Sequence, residues 1–114
     1  MKKYDLEDRL VSFAADIIKF CKYIPNDITG QYYGNQIMRS SGSSALNFGE
    51  AQGTNTDRDY INKAGLSLKE LKESRVNLKI LKMAEYVDSK IIHRLLDEVE
   101  QLIKIMATII KNKK

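Results

Sequence analysis

One cysteine, one histidine, one proline and no tryptophan occur among the 114 residues, and each scarcity removes a class of chemistry. Cys21 alone cannot form an intrachain disulfide, and with His93 as the lone imidazole it cannot assemble a zinc site. A single histidine also leaves no Ser-His-Asp or Cys-His set in which a base could activate a nucleophile. The glycines at 30, 34, 42, 49, 53 and 65 match neither the P-loop nor the dinucleotide fingerprint, so no phosphate-bearing cofactor is implied. No apolar run approaches the roughly 18 residues that cross a bilayer, and MKKYDLEDRL turns acidic where a secretory signal needs an apolar stretch. The expectation is a cytoplasmic protein with no metal, no cofactor, no catalytic residue and no membrane partner.

What is present reads as helix. Hydrophobic residues make up 43% and charged residues 30%, a soluble globular balance, and the near-absence of proline leans toward all-α structure. The length suits one domain over residues 1–114 with one core. The formal charge is +4, and because residues 1–50 carry six charges of each sign, the excess lies entirely in residues 51–114, 13 cations against 9 anions. A basic balance this mild is weak support for a nucleic-acid partner.

Leu6, Leu10, Phe13, Ala14, Ile17, Ile18, Cys21 and Ile24 recur at helical spacing, with Asp5 as cap and Pro25 as stop. Cys21 lies on that stripe as a small buried hydrophobe. Thr56 followed by Asp59 resembles a capping box, opening a long helix that runs to about Ala84 with Tyr60, Ala64, Leu68, Leu71, Leu78 and Leu81 inside. Asp88 caps a last helix with a broad stripe of Ile92, Leu95, Leu96, Val99, Leu102, Ile103, Met106, Ile109 and Ile110. Its Lys111, Lys113 and Lys114 suit a helix C-terminus. His93 falls off the stripe, and Asp97 and Glu100 lie on the solvated side. Tyr4, Tyr23, Tyr32 and Tyr33 gather at the helix ends, where packing is their expected role.

Between the first and third of these segments runs QIMRSSGSSALNFGEAQG, Gln36 to Gly53, which is either a linker or a helix of small residues. At about 100° per residue Tyr33, Ile37, Ser41, Ser44 and Phe48 share a face, bracketed by Ser40, Ala45 and Ala51, so the stretch is read as an amphipathic helix. A glycine inside a helix costs about 1 kcal/mol relative to alanine. Gly42 and Gly49, which share a side with Leu46 and Gly53, are therefore expected to let a second backbone come close, in the bundle or in an oligomer; a kinked helix is the competing expectation. Gln36, Ser43, Asn47 and Glu50 form a polar row beside the apolar stripe, with Arg39 at its margin. A partly buried carboxylate needs a cation. Glu50 and Asn47 are thus expected to join Arg75 or Ser67 in a structural network, within the bundle or across a subunit boundary, unless the row lines a ligand or partner site.

Three motifs carry a resemblance that extends over nearly the whole chain: Gln36-Ile37-x-Arg39, then Asn47-x-x-Glu50, then Ser67-Leu68-x-Glu70-Leu71, followed by the Tyr86-Val87 turn. Together they resemble the small proteins encoded within intervening sequences of bacterial 23S rRNA genes. The chain departs from that family at Ala45 and Ala51, where a proline and a glycine are usual, and at Leu66, with Gly65 one position early. The resemblance implies an antiparallel up-down-up-down four-helix bundle, a ring-like homopentamer and no established enzymatic activity. The chain is similar also to the accessory protein of diversity-generating retroelements, a basic pentamer that contacts reverse transcriptase and nucleic acid. Two functions are expected in competition. One is a homo-oligomer that binds RNA or DNA through Lys72, Lys79 and Lys82, grouped with Lys69 and Arg75, and through the Lys111, Lys113 and Lys114 tail. The other is a scaffold for a partner protein, with the charges serving solubility.

Overall fold

The structure, a computed structural model, describes residues 5–114. Four helices follow one another: α1 (Leu6–Phe20), α2 (Ile28–Gln52), α3 (Asp57–Met83) and α4 (Ser89–Lys113), with a 3-10 turn at Cys21–Tyr23. Each helix begins at a side-chain oxygen that accepts an otherwise orphaned backbone N–H. Asp5 accepts from Asp8 at 3.3 Å, Asp27 from Gly30 at 2.8 Å, Thr56 from Asp59 at 3.1 Å and Asp88 from Lys90 at 2.8 Å.

The connections follow from backbone chemistry. Ile24 is extended (φ −82°, ψ 131°), as the residue before a proline prefers, so α1 and its 3-10 turn stop short of Pro25. Across that loop, a Cβ on Gly30 would overlap the Pro25 carbonyl oxygen, so α2 can begin there only without a side chain. At the far end of α3, the Tyr86 N–H donates to the Leu81 carbonyl and the Glu85 N–H to the Lys82 carbonyl, both at 3.0 Å, which is a Schellman cap. Glu85 takes φ 54° in the position where glycine is usual.

Polar pairs between helices report their directions. Glu7 meets Gln52 across α1 and α2; Arg39 meets Glu70 and Lys63 meets Glu50 across α2 and α3. Arg75 meets Glu100 and Asp57 meets Lys113 across α3 and α4, while Arg9 meets Glu98 and Asp16 meets Arg94 across α1 and α4. Where two pairs join the same helices, rising numbers on one meet falling numbers on the other, and Glu7 at the start of α1 meets Gln52 at the end of α2. The fold is an antiparallel four-helix bundle, and its most extensive contact is that of α2 with α3.

Apolar side chains from all four helices meet in one core. Leu10, Phe13 and Ile17 of α1, Ile37 of α2, Leu71 and Leu78 of α3, and Ile92, Val99, Leu102 and Met106 of α4 are almost completely buried. Each is worth about 1.5–3 kcal/mol on burial, before the entropy of ordering is subtracted. The α1 stripe is narrower than its sequence spacing suggested: Ile18 is exposed, and Phe20 fills the core in its stead. Cys21 is half-buried, and burial pushes its thiol pKa up, away from reactivity. Of the four clustered tyrosines, Tyr32 and Tyr33 meet edge to face with ring centroids 4.9 Å apart, while Tyr4 lies outside the described residues.

Candidate interaction surfaces

The stretch Gln36 to Gly53 lies within one continuous helix, except for its final residue, which caps it. Its small residues do admit a close neighbour, but serines form that contact. Ser40 Oγ and Ser74 Oγ share a hydrogen bond of 2.6 Å, and Ser67 Oγ donates to the Ser44 carbonyl at 2.7 Å, all in the buried seam between α2 and α3. Ser44 Oγ turns back onto the Ser41 carbonyl at 2.7 Å, so the buried hydroxyls are satisfied. Ser74 escaped the sequence reading, although a signal existed: Ser67 and Ser74 are seven apart and keep phase with Leu71 and Leu78.

The expected network joining Glu50 and Asn47 to Arg75 or Ser67 does not form within the chain. Glu50, at 59% side-chain exposure, pairs with Lys63 at 2.7 Å. The Asn47 amide donates to the Ser43 carbonyl at 2.9 Å, one turn back along α2. Arg39 pairs with Glu70 at 3.2 Å and also with Glu73. Arg75 reaches Glu100 of α4 at 3.2 Å and leaves its buried Nε without a hydrogen-bond partner. Gln36, Ser43 and Asn47 are partly buried, as helix phase indicates, but Glu50 is exposed at the solvent edge of the seam, where Lys63 can reach it.

Gly42 and Gly49 have different surroundings. A Cβ at Gly42 would meet nothing within 4 Å, whereas one at Gly49 would lie 3.9 Å from the Glu7 carboxyl of α1. Among the described residues no backbone of another helix approaches Gly42. Around it the outward side of α2 carries Ile28, Gln31, Asn35, Met38 and Leu46, and Leu46 is 70% exposed. Arg39, the charge at its margin, is drawn aside to Glu70 and Glu73 of α3.

The lysines divide likewise. Lys72, Lys79, Lys82, Lys111 and Lys114 are exposed, and among the described residues none has a carboxylate within ion-pair distance. Lys113 is engaged, lying 3.5 Å from Asp57 and 4.7 Å from the centroid of the Tyr60 ring. Glu70 and Glu73, which interrupt the lysine row in sequence, are paired toward α2 by Arg39. The acids near Lys79 and Lys82 are instead Asp97 and Glu100, across a shallow groove of about 340 Å³ that also holds His93. Among the described residues no cluster of His, Cys, Asp or Glu could hold a metal ion, and no helix is long and apolar enough to cross a membrane.

The model of the 23S rRNA-intervening sequence protein family matches residues 2–108. The chain belongs to that family. A solved crystal structure from the S23 ribosomal protein family, a Bacteroides thetaiotaomicron protein of unknown function, superposes with a TM-score of 0.87 at 28% identity, covering 94% of this chain and 99% of the other. No curated protein matches.

In this member of the 23S rRNA-intervening sequence protein family, several of the motif residues lie in or beside the α2–α3 seam. Ile37 and Leu71 are buried, Ser67 binds Ser44, and Arg39 binds Glu70. Those contacts build the bundle and leave the outward sides of α2 and α3 exposed. Beyond the seam, Tyr86 donates its phenol proton to Asp27, the cap of α2. That bond, and then the Gly30 N–H, hold the Asp27 carboxyl below its ordinary pKa, and the same bond raises that of the Tyr86 phenol.

Proposed function

We propose that the chain is a cytoplasmic, non-enzymatic scaffold that assembles into a homo-oligomer, a pentamer, through the outward side of α2. The observation that carries this reading is the uncharged run of Ile28, Gln31, Asn35, Met38, Gly42 and Leu46 in a chain of which 30% is charged. A solvated helix face is normally lined with Lys and Glu; an uncharged one containing a bare glycine and an exposed leucine suits close approach of a second helix. The pentamer number comes from the family resemblance. Light scattering coupled to size exclusion tests it: the expected mass is that of five 13.1 kDa chains, and a monomer at micromolar concentration overturns the reading. Leu46→Glu is expected to lower the assembly mass while helicity, read by circular dichroism, stays unchanged.

A second reading, nucleic-acid binding, is favoured by the unpaired state of Lys72, Lys79, Lys82, Lys111 and Lys114, because uncompensated lysines are what a phosphate backbone recruits. On duplex DNA such binding weakens with salt at a logarithmic slope near 0.9 per phosphate engaged. Charge reversal at Lys72, Lys111 and Lys114 is expected to flatten that slope, and an unchanged slope removes these lysines from the interface.

A further inference from the structure

We propose that the outward edge of α3 is the docking site for an acidic amphipathic helix of a partner protein. Val76, Ile80 and Met83 stand at i, i+4 and i+7 and are 50%, 38% and 86% exposed. That spacing makes one continuous apolar seam along a helix, the pattern by which a second helix is read. The bundle does not use it. The buried side of α3 is made by Ala64, Ser67, Leu71, Ser74, Leu78 and Leu81, on the opposite half of the helix.

The charges beside the seam are sorted by flank. Lys72 and Lys79, seven apart, run along its α4 side without an acidic partner, and Lys82 follows one turn on. On the α2 side Glu70 and Glu73 are already paired with Arg39 and offer little free charge. Where the seam ends, a cavity of about 440 Å³ opens between α3 and α4, lined by Lys79, Lys82, Met83, Glu85 and Leu96. Its apolar wall of Met83 and Leu96 suits one anchoring side chain, with two lysines, Lys79 and Lys82, against the single acid Glu85 in its lining. The complement is a helix with apolar residues at alternating spacings of three and four, and with carboxylates two turns apart, about 10.5 Å, to meet Lys72 and Lys79.

Nucleic acid fits this edge less well. Phosphates gain nothing from Val76, Ile80 and Met83, and Asp97 across the groove repels a continuous anionic backbone, whereas Glu100 is already paired with Arg75. Discrete carboxylates on a peptide avoid Asp97 while apolar side chains cover the seam. The inference is independent of the α2 assembly side, and it competes with the nucleic-acid reading for Lys72 and Lys79.

The test uses the full chain and a fluorescent peptide of about four helical turns, with Leu at the seam positions and Glu on the flank. Its controls are a copy with Lys for every Glu, a copy with Ser for every Leu, and a single-stranded RNA oligonucleotide. Saturable binding of the acidic peptide is expected, weaker by about tenfold or more for both control peptides and for the Met83→Glu and Lys72→Glu/Lys79→Glu variants. The Lys111→Glu/Lys114→Glu variant is expected to bind it normally, and the assembly mass is expected to be the same in all variants. A monomeric chain that still discriminates the peptides upholds this inference while removing the α2 assembly. Three results overturn it: peptide binding that ignores Met83→Glu, a reduced assembly mass in Met83→Glu, which makes the edge a contact between copies, and RNA binding lost in Met83→Glu while the peptide does not bind.

Discussion

The α2–α3 and α1–α4 seams hold the same bundle together by opposite means. Between α2 and α3 the buried side chains include Ser40, Ser44, Ser67 and Ser74, and hydroxyls bridge the helices directly. Where α1 meets α4, the buried residues are large: Leu10, Phe13 and Ile17 on one side, Leu95, Val99 and Leu102 on the other. There the polar contact is confined to the rim, where Arg9 forks onto both Glu98 oxygens at 2.7 and 2.8 Å. Small residues shorten the distance between helices and add dispersion along the backbone; large ones fill the space that a wider separation leaves. The prices differ too, since a close seam tolerates no added volume and a wide one no lost volume.

That difference can be tested by reversing the volume change at each seam. Phe13→Ala empties a fully buried site on the wide side and is expected to cost about 3–5 kcal/mol in urea unfolding at fixed protein concentration. Ser74→Leu forces a larger side chain against Ser40 and is expected to cost about 1–3 kcal/mol, even though it makes the core more apolar. If Ser74→Leu proved neutral, α2 and α3 would not be held as closely as the 2.6 Å hydroxyl contact requires.

The two helix pairs are joined at one end, by the loop before α2 and the turn after α3, and smaller effects are expected there. Glu85→Gly relieves a left-handed conformation in the turn and is expected to stabilise the fold by about 1 kcal/mol, raising the melting temperature by several degrees. The Asp27–Tyr86 bond ties the loop to the turn and makes stability pH-dependent at both extremes. Because the Asp27 pKa is lowered in the folded chain, its contribution is present above the unfolded carboxyl value, about 4, and is lost as pH falls through the lower folded value. Because the Tyr86 pKa is raised, its contribution is full below about 10 and is lost as pH rises through the higher folded value. Tyr86→Phe is expected to remove the alkaline limb and weaken the acid one, with melting curves across pH as the measurement; the Gly30 N–H preserves part of the acid limb.

The helices were legible in the chain because their signals are local. Asp5, Thr56 and Asp88 cap where their chemistry says they should, Pro25 imposes an extended residue before it, and the Leu and Ile spacing of α4 reappears almost residue for residue as buried surface. The outward position of His93 followed from the same periodicity. Partner choice was not legible. Glu50, Arg39 and Arg75 each had several oppositely charged residues within plausible reach, and helix phase, good to tens of degrees, cannot tell the rim of a seam from its interior. Only the docking of α4 on α3 gave Arg75 to Glu100, and only that of α2 on α3 gave Glu50 to Lys63 and Arg39 to Glu70 and Glu73. The same docking gave the close contact to the serines and left Gly42 facing outward, because what approaches a small residue depends on where the neighbouring backbone lies, and no local pattern records that distance.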